Sequence, residues 1–140
     1  MSSIQFTTVN TVFNYKNRTQ TKNWIKEVIK SENKVSGNIS IIFTCDDYLQ
    51  QINIKYLNHN TLTDVITFNY NEGNVINGDI FISVERVKEN AVFYNQLFYN
   101  ELHRVIVHGI LHLLSYKDKS NIERWKMEKL EDKYLEYFYN

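Results

Sequence analysis

Apolar positions change their period several times along the 140-residue chain, and each change predicts an element. Residues 4–9 alternate apolar with polar, the period-two pattern of a half-buried strand. Residues 14–18 are polar and turn-like. From 19 to 33 the period lengthens to that of a helix, with Trp24, Ile25, Val28 and Ile29 on one face. Ser36-Gly37 interrupts it, and the β-branched run N-I-S-I-I-F-T at 38–44 predicts a second strand. Thr44 stands three residues before Asp47, a spacing like that of a capping box. It predicts a short helix to about Tyr56, with Leu49, Ile52 and Tyr56 inward. Residues 64–70 and 75–83 predict two more strands, joined through the turn at 71–74 as an antiparallel hairpin. Ser83 caps a helix over 84–95, and a long, largely apolar helix follows over about 96–114. Ser120 with Glu123 forms a capping box for a last helix to about Tyr139, with Trp125, Leu130 and Leu135 inward. This order predicts an α/β fold: a small mixed four-stranded sheet covered by helices, with a buried central helix near its end.

Composition adds bounds rather than direction. The length fits one domain over residues 1–140, and 43% hydrophobic residues supply a core. Sixteen basic residues balance sixteen acidic ones, so net charge offers nothing toward a nucleic acid. Contact with RNA therefore requires a local patch. Lys22, Lys26 and Lys30, four residues apart on one face of the first long helix, form the best one, although a solvated helix face has the same pattern. Cys45 is the only cysteine, which excludes an internal disulfide and fits a reducing compartment. With neither a signal-peptide pattern nor an apolar run of membrane-spanning length, a cytoplasmic location without membrane contact is expected.

The candidate chemistry lies in V-H-G-I-L-H-L-L-S-Y-K-D-K, residues 107–119. His108 and His112 are four apart, so a helix stacks them on one face, where two imidazoles can ligate one metal ion. Two hydrogen-bonded core histidines would show the same spacing. Asp118 follows six residues after His112, about 240° further around a continuing helix. For Asp118 to join the two histidines, the helix must end near Leu114 to Tyr116 and residues 115–117 must turn tightly. Otherwise Asp118 is a surface residue between Lys117 and Lys119. Gly109 costs about 1 kcal/mol relative to alanine in a helix interior, which predicts a close neighbour against this turn. Peptide-cleaving helices of this kind place Glu directly after the first His; Gly109 occupies that position and argues against proteolysis.

The segment H-G-x-L-H-L-x-x-Y resembles the signature of the YbeY family of bacterial rRNA-maturation endoribonucleases, H-G-x-L-H-L-x-G-Y-D-H. Residues 108–113 and Tyr116 match it, while Ser115 replaces its Gly, Lys117 its Asp and Asp118 its third His. A second block resembles the family's N-x-x-Y-R, T-[DN]-V-[LI]-[ST]-F and G-D-[IL] through Asn53, Tyr56, Thr63, Asp64, Val65, Phe68, Gly78, Asp79 and Ile80. The resemblance covers roughly residues 38–130. It implies a zinc-dependent, single-strand-specific endoribonuclease that matures the 3′ end of 16S rRNA and serves ribosome quality control. Its partners would be rRNA and the ribosome, and one Zn²⁺ would be held by His108, His112 and Asp118. An Asp in place of the third His lowers the net charge of a zinc site from +2 to +1. Ser115 in place of Gly is acceptable if the turn keeps negative φ. Leu57 stands where the family has its arginine, and the proton acceptor is unassigned. A metal-stabilised, non-catalytic ribosome-assembly or RNA-binding factor is the rival expectation, favoured by neutral charge and by Leu57.

Overall fold

The computed structural model describes residues 2–140. Its elements run β1 (Ile4–Thr8), α1 (Arg18–Ser31), β2 (Val35–Thr44), α2 (Asp46–Leu57), β3 (Val65–Asn69), β4 (Val75–Ser83), α3 (Val84–Phe93), α4 (Phe98–Leu113) and α5 (Asn121–Tyr139). The sheet order is β1-β2-β4-β3. β1, β2 and β4 are parallel, and β3 returns antiparallel on β4 as the expected hairpin. This is the mixed four-stranded α/β architecture that the pattern predicts.

Period-two alternation sorts the strands onto two faces. Ile4, Phe6, Ile39, Ile41, Phe43, Ile76, Ile80 and Ile82 point into the main core, which they share with α1, α4 and α5. Ile66, with Phe68 and Phe81, points to the other face and packs under Leu49 and Ile52 of α2. α4 is buried on most sides because Leu102, Val105, Ile106, Ile110, Leu111 and Leu113 all enter the main core. A helix surrounded in this way has its position set by packing, so it carries side chains at its end accurately.

Several local expectations are corrected. β2 begins at Val35, before the predicted strand, because Val35 and Ser36 already pair with Val75 and Ile76; a register shift between Ser36 and Ile39 hides this from the alternation. Thr44 does not cap α2. It ends β2 fully buried, and the N-cap is Cys45 without a side-chain bond. The first amide of that helix donates instead to Glu85 of α3 at 2.8 Å, and Arg86 grips Asp46 through both carboxylate oxygens. Tyr56 is exposed, and Asn53 takes the inward position, where its amide donates to the Thr61 carbonyl at 3.0 Å. In α5 the inward stripe is Met127, Glu131, Tyr134 and Phe138 rather than one led by Trp125, which is exposed; Leu130 and Leu135 are half-buried at its edges. The rotation of α5 follows from Glu131, whose carboxylate is bound by two groups on α4.

Candidate metal centre

The centre is built at the C-terminal end of α4. Gly109 lies over Ile80 of β4 so closely that a Cβ there would stand 2.8 Å from Ile80 Cγ2, the close neighbour that its helix cost predicts. One turn further on, Leu113 occupies the space over Gly78, where a Cβ would meet its Cδ2 at 2.6 Å. Two glycines thus let helix and sheet approach at the point where the histidines project. α4 then stops in a Schellman motif: the Tyr116 amide donates to the Leu111 carbonyl at 3.0 Å and the Ser115 amide to the His112 carbonyl at 2.9 Å. The Leu113 carbonyl, otherwise orphaned, accepts from the Asn71 side chain of the β3–β4 turn at 2.7 Å. Ser115 has φ +77°, so the turn does require the left-handed region, contrary to the expectation of negative φ. A Gly at this position would adopt it without the Cβ penalty.

That turn brings Asp118 back to the helix. The Nε2 atoms of His108 and His112 are 2.9 Å apart, and Asp118 Oδ2 lies 3.2 Å from each. The opposite ring nitrogens are both engaged. His112 Nδ1 is 3.0 Å from the Tyr116 carbonyl, which can only accept, so His112 carries its proton on Nδ1. His108 Nδ1 is 2.6 Å from Glu131 Oε2 and donates to that carboxylate. With those far-side protons in place, each ring directs its Nε2 toward the other ring and toward the Asp118 carboxylate oxygen. Three acceptors at such separations repel unless a positive charge lies among them, either a proton on one ring or a cation. Bonds of about 2.0–2.1 Å in a tetrahedral zinc site put ligand atoms about 3.3 Å apart, close to the three edges here. The donor set, its spacing and the protons fixed on the far nitrogens all fit a divalent ion. His108 and His112 are each less than a quarter exposed, while Asp118 is 36% exposed, so the third corner opens to solvent.

A cleft of about 860 Å³ runs from this cluster between α3, α4 and α5, with His108 and Asp118 in its wall. Beside them stand Asp64, Glu101, Arg104, Arg124 and Glu131. Burial raises the pKa of Glu101, and also that of Asp64, where the positive charge of His108 only partly opposes it. Burial pulls the His108 pKa down, but the Glu131 hydrogen bond and the surrounding carboxylates outweigh it and the net direction is upward. Arg104 donates to Glu131 at 2.8 Å and to Asp132 at 2.6 Å, so its charge is already matched.

The three residues singled out by spacing are thus brought together, while the lysine stripe is not part of this cleft. Lys22, Lys26 and Lys30 lie on α1, and none of them lines it. Sequence reasoning missed Glu131 and Arg104. Arg104, His108 and His112 recur at intervals of four on one helix face, a signal open to inspection. Glu131 interrupts the apolar stripe of α5, and a carboxylate at such a position is the mark of a buried partner.

Comparison with known proteins agrees with this geometry. Residues 5–139 match the family model described as Endoribonuclease YbeY. A protein of that name from Flavobacterium psychrophilum is 50% identical over 127 residues, 91% of either chain. Its namesake from Flavobacterium johnsoniae is 49% identical, over 92% of this chain and 93% of the other. The solution structure of a Thermotoga maritima protein superposes with a TM-score of 0.65 at 26% identity, covering 98% of this chain and 89% of that one. The chain belongs to the YbeY endoribonuclease family.

Proposed function

We propose that residues 1–140 act as a single-domain, zinc-dependent endoribonuclease on single-stranded RNA, in maturation of the 16S rRNA 3′ end and in ribosome quality control. The observation that carries the reading is the triangle of ligand atoms that His108, His112 and Asp118 bring together, along with the endoribonuclease name of relatives about half identical over nine-tenths of the chain. No helix of the described residues is long and apolar enough to cross a membrane, in keeping with a cytoplasmic enzyme that meets rRNA and the ribosome.

A zinc ion held by these three residues would supply Lewis acidity, bringing the pKa of water toward 7 and offsetting charge on phosphate oxygens. The residues of the chain have separable tasks. Glu131 and the Tyr116 carbonyl hold the two far-side protons and so aim both imidazoles. Asp118 adds a negative charge at the solvent-facing corner. Asp64 and Glu101, whose proton affinity burial raises, are the cleft groups able to take up and hold a proton.

Single-turnover cleavage of an unstructured RNA, with and without chelator, tests the reading. Metal-dependent cleavage lost in chelator and restored by zinc is the expected result. The acidic wall formed by Asp64, Glu101, Glu128 and Glu131 disfavours a phosphate in the cleft, and so favours the second reading, a metal-stabilised ribosome-assembly or RNA-binding factor that does not cut and meets its partner outside the cleft. On that reading RNA or ribosomal binding persists while no metal supports cleavage.

A further inference from the structure

The cleft contains two guanidinium groups in contrasting states. Arg104 is neutralised by two carboxylates. Arg124, in the first turn of α5, has no ion pair within 4 Å among the described residues, although Glu128 lies one turn further along the same helix. Its Nη1 donates to the Lys119 carbonyl at 2.5 Å and its Nη2 to Asn121 Oδ1. Both acceptors are neutral, so they hold the guanidinium in place without cancelling its charge. Lys119 is the residue after Asp118, which ties Arg124 to the loop carrying the third candidate ligand. That loop is itself anchored by the capping box of α5, in which Glu123 accepts from the amides of Lys119 and Ser120. Lys117 and Lys119, both exposed, flank Asp118 and add to the same rim.

A polyanion meets opposite fields along this cleft. The wall of Asp64, Glu101 and Glu128 repels phosphate, and Arg104 is occupied with Glu131 and Asp132. The Arg124 rim attracts phosphate with a planar fork suited to two phosphate oxygens. We propose that Arg124 binds a phosphodiester of the RNA beside the metal centre, leading the strand across the Asp118 loop rather than along the lysine stripe of α1. This rests on the nuclease reading above.

The test measures binding of a labelled, unstructured RNA oligonucleotide by fluorescence anisotropy across a salt series, before cleavage is detectable, with zinc content determined on the same samples. Arg124→Ala should weaken binding about tenfold, the effect of one charge-assisted hydrogen-bonding group. It should also flatten the plot of log affinity against log salt by about 0.7, the loss of one phosphate contact on a single strand. In single-turnover cleavage the half-saturating enzyme concentration should rise while the limiting rate and the zinc content hold. Arg124→Lys should restore the salt slope but only part of the affinity. Unchanged affinity and slope in Arg124→Ala would overturn the proposal, as would a loss of zinc in that variant, which would make Arg124 a prop for the loop. If the unaltered protein neither binds nor cleaves the RNA, the nuclease reading fails first, and that result is distinct from either of the others.

Discussion

Glu131 Oε2 lies 2.6 Å from Nδ1 of His108, although the two are 23 positions apart along the chain. The same carboxylate accepts from Arg104 through its other oxygen, so one buried acid on α5 sets both a candidate ligand and the cation beside it. Second-layer partners of this kind change metal affinity by about 10–100-fold. Glu131→Ala should weaken zinc binding within that range in competition against a chromophoric chelator, and Glu131→Gln should weaken it less because the amide oxygen still accepts. Equal affinity in all three proteins would show that the His108 ring is held by packing alone.

Asp118 completes the cluster only because α4 stops. Asp118→Ala leaves two imidazoles and should purify with well under one equivalent of zinc. Asp118→His, which restores the family's third histidine, should retain the metal and raise the charge of the site by one. Full zinc in the alanine variant would remove Asp118 from the ligand set.

Ser115 holds φ +77° at the left-handed position of the Schellman motif, where a Cβ costs about 1 kcal/mol. Ser115→Gly should therefore raise stability by about 1 kcal/mol and the melting midpoint by about 3 °C in calorimetry. A lower midpoint would mean that the serine side chain contributes more than its backbone strain costs.

The two packed glycines should respond differently to alanine. At Gly78 a Cβ would meet the Phe68 backbone oxygen at 2.6 Å as well as Leu113, and backbone gives way poorly. Gly78→Ala should cost about 2 kcal/mol or more in urea denaturation. At Gly109 the obstruction is the Ile80 side chain, and the helix regains about 1 kcal/mol of propensity, so Gly109→Ala should cost less. The reverse order would place the rigid contact on α4 instead of the hairpin.

His103 is a histidine of a different kind. It is 2% exposed among Trp24, Tyr99 and Phe138, and desolvation lowers its pKa to about 4. Tyr139 gives its hydroxyl proton to Asn100, so His103 Nδ1 donates to Tyr139, and the buried Nε2 has no hydrogen-bond partner among the described residues. The folded pKa lies below the unfolded value near 6.5, so the unfolded chain binds the extra proton first. Stability from this residue is complete above about pH 6.5 and declines by about 3 kcal/mol as pH falls toward 4. In His103→Phe that part of the acid loss should vanish from urea midpoints measured against pH. A profile that overlays the unaltered protein would assign the acid sensitivity to other groups.

Much of this architecture follows from local pattern. The four strands, the antiparallel hairpin and the five helices come from period-two and period-3.6 spacing, because burying one face of each element is a local requirement that the chain must satisfy wherever it packs. The pair His108 and His112 was legible for the same reason, since i, i+4 spacing within a helix is geometry internal to that helix. Their match to a known signature, with the second block at residues 53–80, was enough to indicate the family.

Other features depended on relations that no local window contains. The chain order of Ser115, Tyr116 and Asp118 allows a turn, but its left-handed φ is set by Leu111 and His112 carbonyls that need donors at the helix end. The rotation of α5 could not be read from its apolar residues, because Trp125, Leu130 and Leu135 compete with Met127, Tyr134 and Phe138 for the inward face. What decided it was a buried carboxylate seeking two cationic or proton-donating partners on α4, an energy that arises only when the helices meet. By itself, then, the sequence determined the elements, the histidine pair and the family. Tertiary structure decided which charges are matched, leaving Arg104 neutralised and Arg124 without an ion pair within 4 Å among the described residues, because electrostatic pairing depends on distances in space that separation along the chain does not encode.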